Sequence, residues 1–208
     1  MQNVIEEGLL HRAPGRPRDN AVRERILKAG LDLLQEVGFA NATCDAIAER
    51  SGASKATIYR WWPNKAAVLI DAFVERLTPE LPIHDVSTLE EYVTFNLKQF
   101  TRVLMGSNGR LFAAVIAAAQ TDQDVQSAFL SHWIKPRRAL FRTLLERYRA
   151  EGLLPDNYDF DQVLDVMYGP LLFLLMVRHV ELTLAYAENL ANMVLNGLLP
   201  RSSAATSR

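Results

Sequence analysis

Apolar residues recur every three to four positions along most of this 208-residue chain, and no strand-length alternation persists. That period stacks side chains on one face of an α-helix, so the pattern predicts an all-α protein. In the first stretch Val22, Ile26, Leu33 and Val37, joined by Leu27, Leu31 and Leu34, form a broad apolar face. Asp19 or Asn20 can cap it, Gly38 stops it, and Phe39 is placed to plug a small core. Thr43 can cap a second helix that carries Ala46 and Ile47 and ends at Ser51 and Gly52. Ser54 restarts the chain as another cap. Ile58 and Trp62, four apart, share the buried side of a third helix, and Pro63 ends it. Asn64 can cap a fourth helix, whose apolar residues run from Ala67 through Leu69, Ile70, Phe73 and Val74 to Leu77. Pro79 and Pro82 close it, which makes residues 79–87 the expected boundary between two parts.

Beyond that boundary five more helices are expected. They cover about 88–105, 110–120, 122–150 with an interruption near Lys135 and Pro136, 160–179 and 183–198. Residues 106–109 and 152–157 are the expected breaks, and 201–208 is a polar tail.

The chemistry concentrates between Thr43 and Lys65, where two short helices flank a tight turn containing Gly52. Off its apolar side the second of these helices carries Lys55, Ala56, Thr57, Tyr59, Arg60 and Trp61, a set without a carboxylate. A helix fits the major groove, where Lys or Arg can read guanine and Ala or a Thr methyl can touch thymine. Tyr59 and Lys65 are long, with polar tips that can reach phosphates. Thr43 offers a hydroxyl and a positive helix end to another phosphate. The same pattern also suits a surface helical hairpin in an unrelated all-α protein.

Residues 42–69, ATCDAIAERSGASKATIYRWWPNKAAVL, resemble the DNA-binding signature of TetR/AcrR-family transcriptional regulators. The matching features are Thr43, Ile47 and Ala48, Gly52, Ser54, Ile58 and Tyr59, the aromatic Trp62, Lys65 and the apolar helix that follows. The likeness covers roughly the first 75 residues and fixes many positions at once. It implies that Tyr59, Thr43 and Lys65 hold phosphates, while Ser54 opens a reading helix whose Lys55, Ala56, Thr57, Arg60 and Trp61 face the groove. Trp61 stands where His or Tyr is common, and Arg60 where an aromatic is common, so the target sequence stays open. The resemblance further implies a homodimer through the last two helices and repression at a palindromic operator. It also implies release by a small-molecule effector. The expected organisation is a flexible basic arm over 1–19, a helix-turn-helix domain over 20–66, an effector-binding and dimerisation domain over 67–200, and a flexible tail over 201–208.

Charge supports a polyanion partner for one end. Residues 12–65 hold ten Lys and Arg against six Asp and Glu, whereas residues 66–208 hold 13 against 16. Within the arm, the run from Ala13 to Arg18 has two prolines and a glycine, which favour an extended backbone. Arg16 and Arg18 on such a backbone could enter an A·T-rich minor groove, or belong to a solvated tail. The single cysteine, Cys44, excludes an internal disulfide and fits a reducing cytoplasm. It is a packing residue or a redox switch. The apolar run from Leu171 to Val177 is too short to span a bilayer, so no membrane partner is expected.

The helix over 160–179 is apolar nearly all round, and its partner carries Leu184, Tyr186, Leu190, Met193, Val194, Leu195 and Leu198. Such a pair needs burial on all sides, as in a four-helix interface between two copies; a monomer core is the alternative. A ligand cavity, expected from the family, would be lined by Phe95, Phe100, Met105, Phe112, Ile116, Trp133, Phe141, Met167, Tyr168 and Leu172. Asn96, Arg102, Gln120, His132 and Tyr168 are the candidate polar groups, although aromatics at helical spacing also fill plain cores. No phosphate-cradling loop, nucleophile elbow or zinc motif occurs, so neither catalytic residues, a cofactor nor a metal is expected. The rival readings are a DNA binder without an effector and, further off, an all-helical enzyme.

Overall fold

A computed structural model describes residues 17–82, 88–154 and 158–198. The described residues are helical, with no strand among them, and fall into two compact units, Met1–Ala72 and Phe73–Arg208. Arg16, most of the expected 79–87 boundary and the 201–208 tail lie outside the described residues.

In the first unit α1 spans Pro17–Asn41. It takes in Pro17 and Arg18, which the composition of the arm had made extended. Proline suits a first helical turn, because its fixed φ is helical and the missing N–H has no partner there. The helix breaks at Gly38 (φ 75°, ψ 177°), and Phe39 beyond the break is buried. Val37, assigned to the apolar face, is 42% exposed beside that break. Next come α2 (Cys44–Ser51), α3 (Lys55–Trp61) and α4 (Lys65–Leu77). Their starts are set by three side-chain caps. Thr43 Oγ1 accepts from the Ala46 amide at 3.1 Å, Ser54 Oγ from Thr57 at 3.1 Å and Asn64 Oδ1 from Ala67 at 2.9 Å. Gly52 ends α2 at φ 66°, where a Cβ would be strained. Ile26, Leu27, Leu34, Ile47, Ile58, Trp62 and Leu69 fill the core between these helices.

The helix α4 runs on without a break, so its residues divide between the two units at Ala72 and Phe73. The second unit continues with α5 (Leu89–Met105), capped by Thr88, and α6 (Ser107–Ala119). The break expected over 106–109 shrinks to Gly106, because Ser107 already starts the next helix. Gly109 permits this turn: a Cβ there would lie 1.8 Å from the Leu104 carbonyl oxygen. Buried Asn108 is satisfied by donating to Glu80 Oε2 at 2.8 Å.

Asp122 caps α7 (Gln123–Phe129), a π-helical turn follows at Leu130–Ile134, and α8 spans Lys135–Ala150. The π turn is the interruption expected near Lys135 and Pro136. Asp159 caps α9 (Phe160–Val177), and Thr183 caps α10 (Leu184–Leu198) by accepting from Tyr186 at 3.1 Å. Along α10 lies α5, with Lys98 and Glu188 paired at 2.5 Å, while α9 packs on α8 and α10. By length and composition α9 could cross a membrane. Its first turns, however, carry Asp161 and Asp165, which pair with Arg138 and Arg142 of α8. The Arg138 hydrogen bond holds the Asp161 carboxyl below the usual range. These pairs seat α9 in a helical bundle.

Candidate nucleic-acid interface and internal cavity

The helix-turn-helix exists because three features place its second helix. Gly52 turns the chain, Ser54 opens α3, and Ile58 with Trp62 turns one side of that helix inward. Trp62 lies just past the helix end, yet it anchors it. Its indole N–H donates to Asp71 Oδ2 at 2.7 Å, and the Arg23 guanidinium sits 5.9 Å from its ring. Asp71 was not foreseen; nothing local marks an aspartate on a helix face as the partner of a tryptophan nine residues away.

The other side of α3 faces outward. Lys55, Ala56, Tyr59 and Arg60 are exposed, Thr57 and Trp61 are half-buried, and Tyr59 keeps 51% of its surface. Trp61 leans on Trp62, ring centroids 5.6 Å apart. The Thr57 hydroxyl shares a 2.9 Å hydrogen bond with Ser54. Thr43 is exposed at the α2 start, and Cys44 beside it hydrogen-bonds Tyr59, which pushes the phenol pKa up. Tyr59 thus sets its hydroxyl at the positive end of α2, a fitting place for a phosphate.

Two expected contacts are already engaged. Lys65 Nζ donates to the carbonyls of Phe39, Ala40 and Ala42 at 3.1, 3.4 and 3.3 Å, so its ammonium clamps the turn before α2. Lys55 pairs with Asp45 in the first turn of α2. The side chain of Arg18 is not described, and Arg16 lies outside the described residues.

In the second unit a cavity of about 450 Å³ opens among α5, α6, α8 and α9. Eight of the foreseen residues line it: Asn96, Phe100, Phe112, Ile116, Trp133, Phe141, Tyr168 and Leu172. Six foreseen residues do not. Phe95 is half-buried off the wall, Arg102 is exposed and donates to Gln99, Gln120 is exposed at the end of α6, and Met167 is fully buried in the core. Met105 is 53% exposed, and His132 is half-buried outside the lining. A helical pattern identifies an inward face but not which inward residues meet a void. Among the lining residues not foreseen are Tyr92, Phe129, Arg137, Arg138 and Asp165. Phe73 closes the aromatic wall, with ring centroids 5.4 Å from Phe112 and Trp133 and 6.2 Å from Phe129.

Comparison with known proteins follows this division. Residues 26–72 match the family described as bacterial regulatory proteins, tetR family, and residues 83–194 match the tetracyclin repressor-like C-terminal domain. The uncharacterized HTH-type transcriptional regulator YdeS of Bacillus subtilis is 35% identical over 189 residues, 91% of this chain and 96% of that protein. A DNA-binding transcriptional repressor TetR of Mycobacteroides abscessus is 28% identical over 150 residues, 68% of this chain and 75% of its own. Among solved structures, the TetR family transcription regulator SCO0332 matches with a TM-score of 0.72 and 30% identity, covering 86% of this chain and 99% of that one.

Proposed function

The chain belongs to the TetR family of DNA-binding transcriptional regulators, not enzymes; within it, we propose a homodimeric repressor of a palindromic operator, released when a small molecule fills the cavity. The observation that carries this reading is the division of α4. It begins directly after the reading helix, and its Phe73 touches three rings of the cavity wall. An effector that repositions those rings moves the helix from which α3 is hung. It acts only through different affinities for the gripping and released states. Homodimerisation is supported by Val166, Phe173, Met176 and Val177 on α9 and Met193 on α10. Each is 43% or more exposed, an apolar face that a second copy would cover. The twin reading helices would then enter successive major grooves about 34–36 Å apart. In this reading Tyr59 and Thr43 hold phosphates and Lys55, Ala56, Thr57, Arg60 and Trp61 face bases. Arg16 and Arg18 would reach the adjacent minor groove, and the protein would work on cytoplasmic DNA.

The test is selection of bound fragments from the native genome, followed by footprinting. A two-fold operator is expected, bound by a dimer in sedimentation. Tyr59→Ala should weaken binding to every site and reduce the salt slope by about one phosphate contact. Retention of no particular sequence, or a Tyr59→Ala protein with unchanged affinity, would overturn the reading.

A further inference from the structure

The cavity wall is mostly aromatic and aliphatic; its charged side chains are Arg138 and Asp165, which pair with each other, and Arg137. Arg137 enters from α8, its guanidinium 3.9 Å from the centroid of the Trp133 ring. No carboxylate among the described residues pairs with it. The two carboxylate-bearing neighbours on the wall and α9 are engaged elsewhere: Asp165 with Arg138, and Asp161 with Arg138 and Arg142. The groups that act electrostatically on Arg137 are instead two phenols, Tyr92 and Tyr168, which line the same cavity. Burial lowers the Arg137 pKa from its ordinary value and pushes Tyr92 up to about 12; Tyr168 is raised further. One cation and two neutral hydroxyl donors thus converge on a void whose remaining wall is mostly rings.

A charge taken out of water needs a partner of opposite sign, and a ring face offsets only part of the loss. No described residue supplies that partner to Arg137. From this we infer that the effector is an organic carboxylate. Its head is held by Arg137 with hydroxyl donation from Tyr92 and Tyr168, and its apolar body lies against Phe100, Phe112 and Trp133. A planar guanidinium matches a carboxylate with two parallel N–H donors, which a neutral amide or alcohol cannot use as well. The inference rests on the cavity being the effector site and names the chemistry of what fills it.

Calorimetric titration of the full chain with two matched pairs tests it: naphthoate against naphthamide, and decanoate against decanamide. In at least one pair the acid should bind about 10- to 100-fold more tightly than its amide, the range for hydrogen bonds to a charged group. Arg137→Gln should abolish that preference, weakening the acid far more than the amide. Tyr168→Phe, which keeps the ring and its packing, should narrow it several-fold, and this second variant reports even if Arg137→Gln fails to fold. Equal affinity of acid and amide in both pairs, no binding by either acid, or a preference that survives in Arg137→Gln overturns the inference. Release of operator DNA separates the two claims. An amide that releases DNA as well as its acid keeps the repressor reading and removes this one. An acid that binds through Arg137 yet leaves DNA held keeps the carboxylate site and removes its role as the effector site.

Discussion

The two units solve opposite surface problems. In the first, short helices are pinned from inside by a dense core and by side-chain caps, so the polar side of α3 projects outward without a pocket beneath it. In the second, larger rings meet edge to face around a void that also takes the Arg137 guanidinium. A convex reader must hold its shape before it meets DNA. A hollow that receives a ligand can leave interior surface uncovered, at some loss of contact energy. Substitutions should therefore separate the units by how much each residue is needed when nothing is bound.

Trp62 should show the largest effect. It is 3% exposed and holds the end of α3 through Asp71, so Trp62→Ala removes a packed indole and one hydrogen bond to the Asp71 carboxylate. A loss of about 3–5 kcal/mol is expected in chemical denaturation, together with loss of DNA binding. The matched change on the other side is Ile116→Ala. Its carbons already face the cavity, so the loss should stay at or below about 2 kcal/mol, the low end for such truncations. Equal losses at the two positions would erase the contrast between a filled core and a hollow one.

The same contrast explains what could be read before the structure. Thr43, Gly52, Ser54, Ile58 and Asn64 act within a few residues of themselves, through caps, one positive φ and a four-residue spacing. Their roles are legible because the cause and the effect share one turn of chain. Asp71 with Trp62, and Lys65 with the carbonyls of Phe39 to Ala42, join residues from different helices and were not legible. The cavity extends this further. Tyr92, Phe129 and Arg137 come from three helical segments, and Arg137 is one of many arginines until α8 turns it toward a void whose one described carboxylate, Asp165, is held by Arg138. The extended backbone expected at Arg18 gave way to helix for a different reason: proline marks a helix start as readily as an extended arm.

Alkaline titration gives the next effect. Tyr92 has its pKa raised from 10.0 to about 12, mainly by burial, with the nearby Arg137 cation pulling it down. A group raised in the folded state stabilises the fold fully below its unfolded value and loses that contribution as pH climbs through the folded value. Stability should thus fall between about pH 10 and 12 in wild type. In Tyr92→Phe this fall should be smaller, and the ultraviolet phenolate titration should lack one late-ionising group. A Tyr92 phenol that ionises near pH 10 in the folded chain would mean that the cavity wall is wet.

The smallest effect concerns the reader, and it has opposite signs in two measurements. Asp45 sits in the first turn of α2 and pairs with Lys55, the first residue of α3; the two side chains are 70% and 53% exposed. Exposed pairs contribute little, and an acid near a helix start adds a little more, so Asp45→Asn should lower stability by less than about 1 kcal/mol. Toward DNA the same carboxylate competes with phosphate for Lys55 and adds a negative charge beside a polyanion. Removing it should tighten operator binding by roughly threefold to tenfold and steepen the salt dependence by up to one further counterion. Electrophoretic binding titrations at three salt concentrations would show both. An Asp45→Asn protein that binds more weakly would mean that the pair positions Lys55 for its contact, and that the reader is built with the bridge intact.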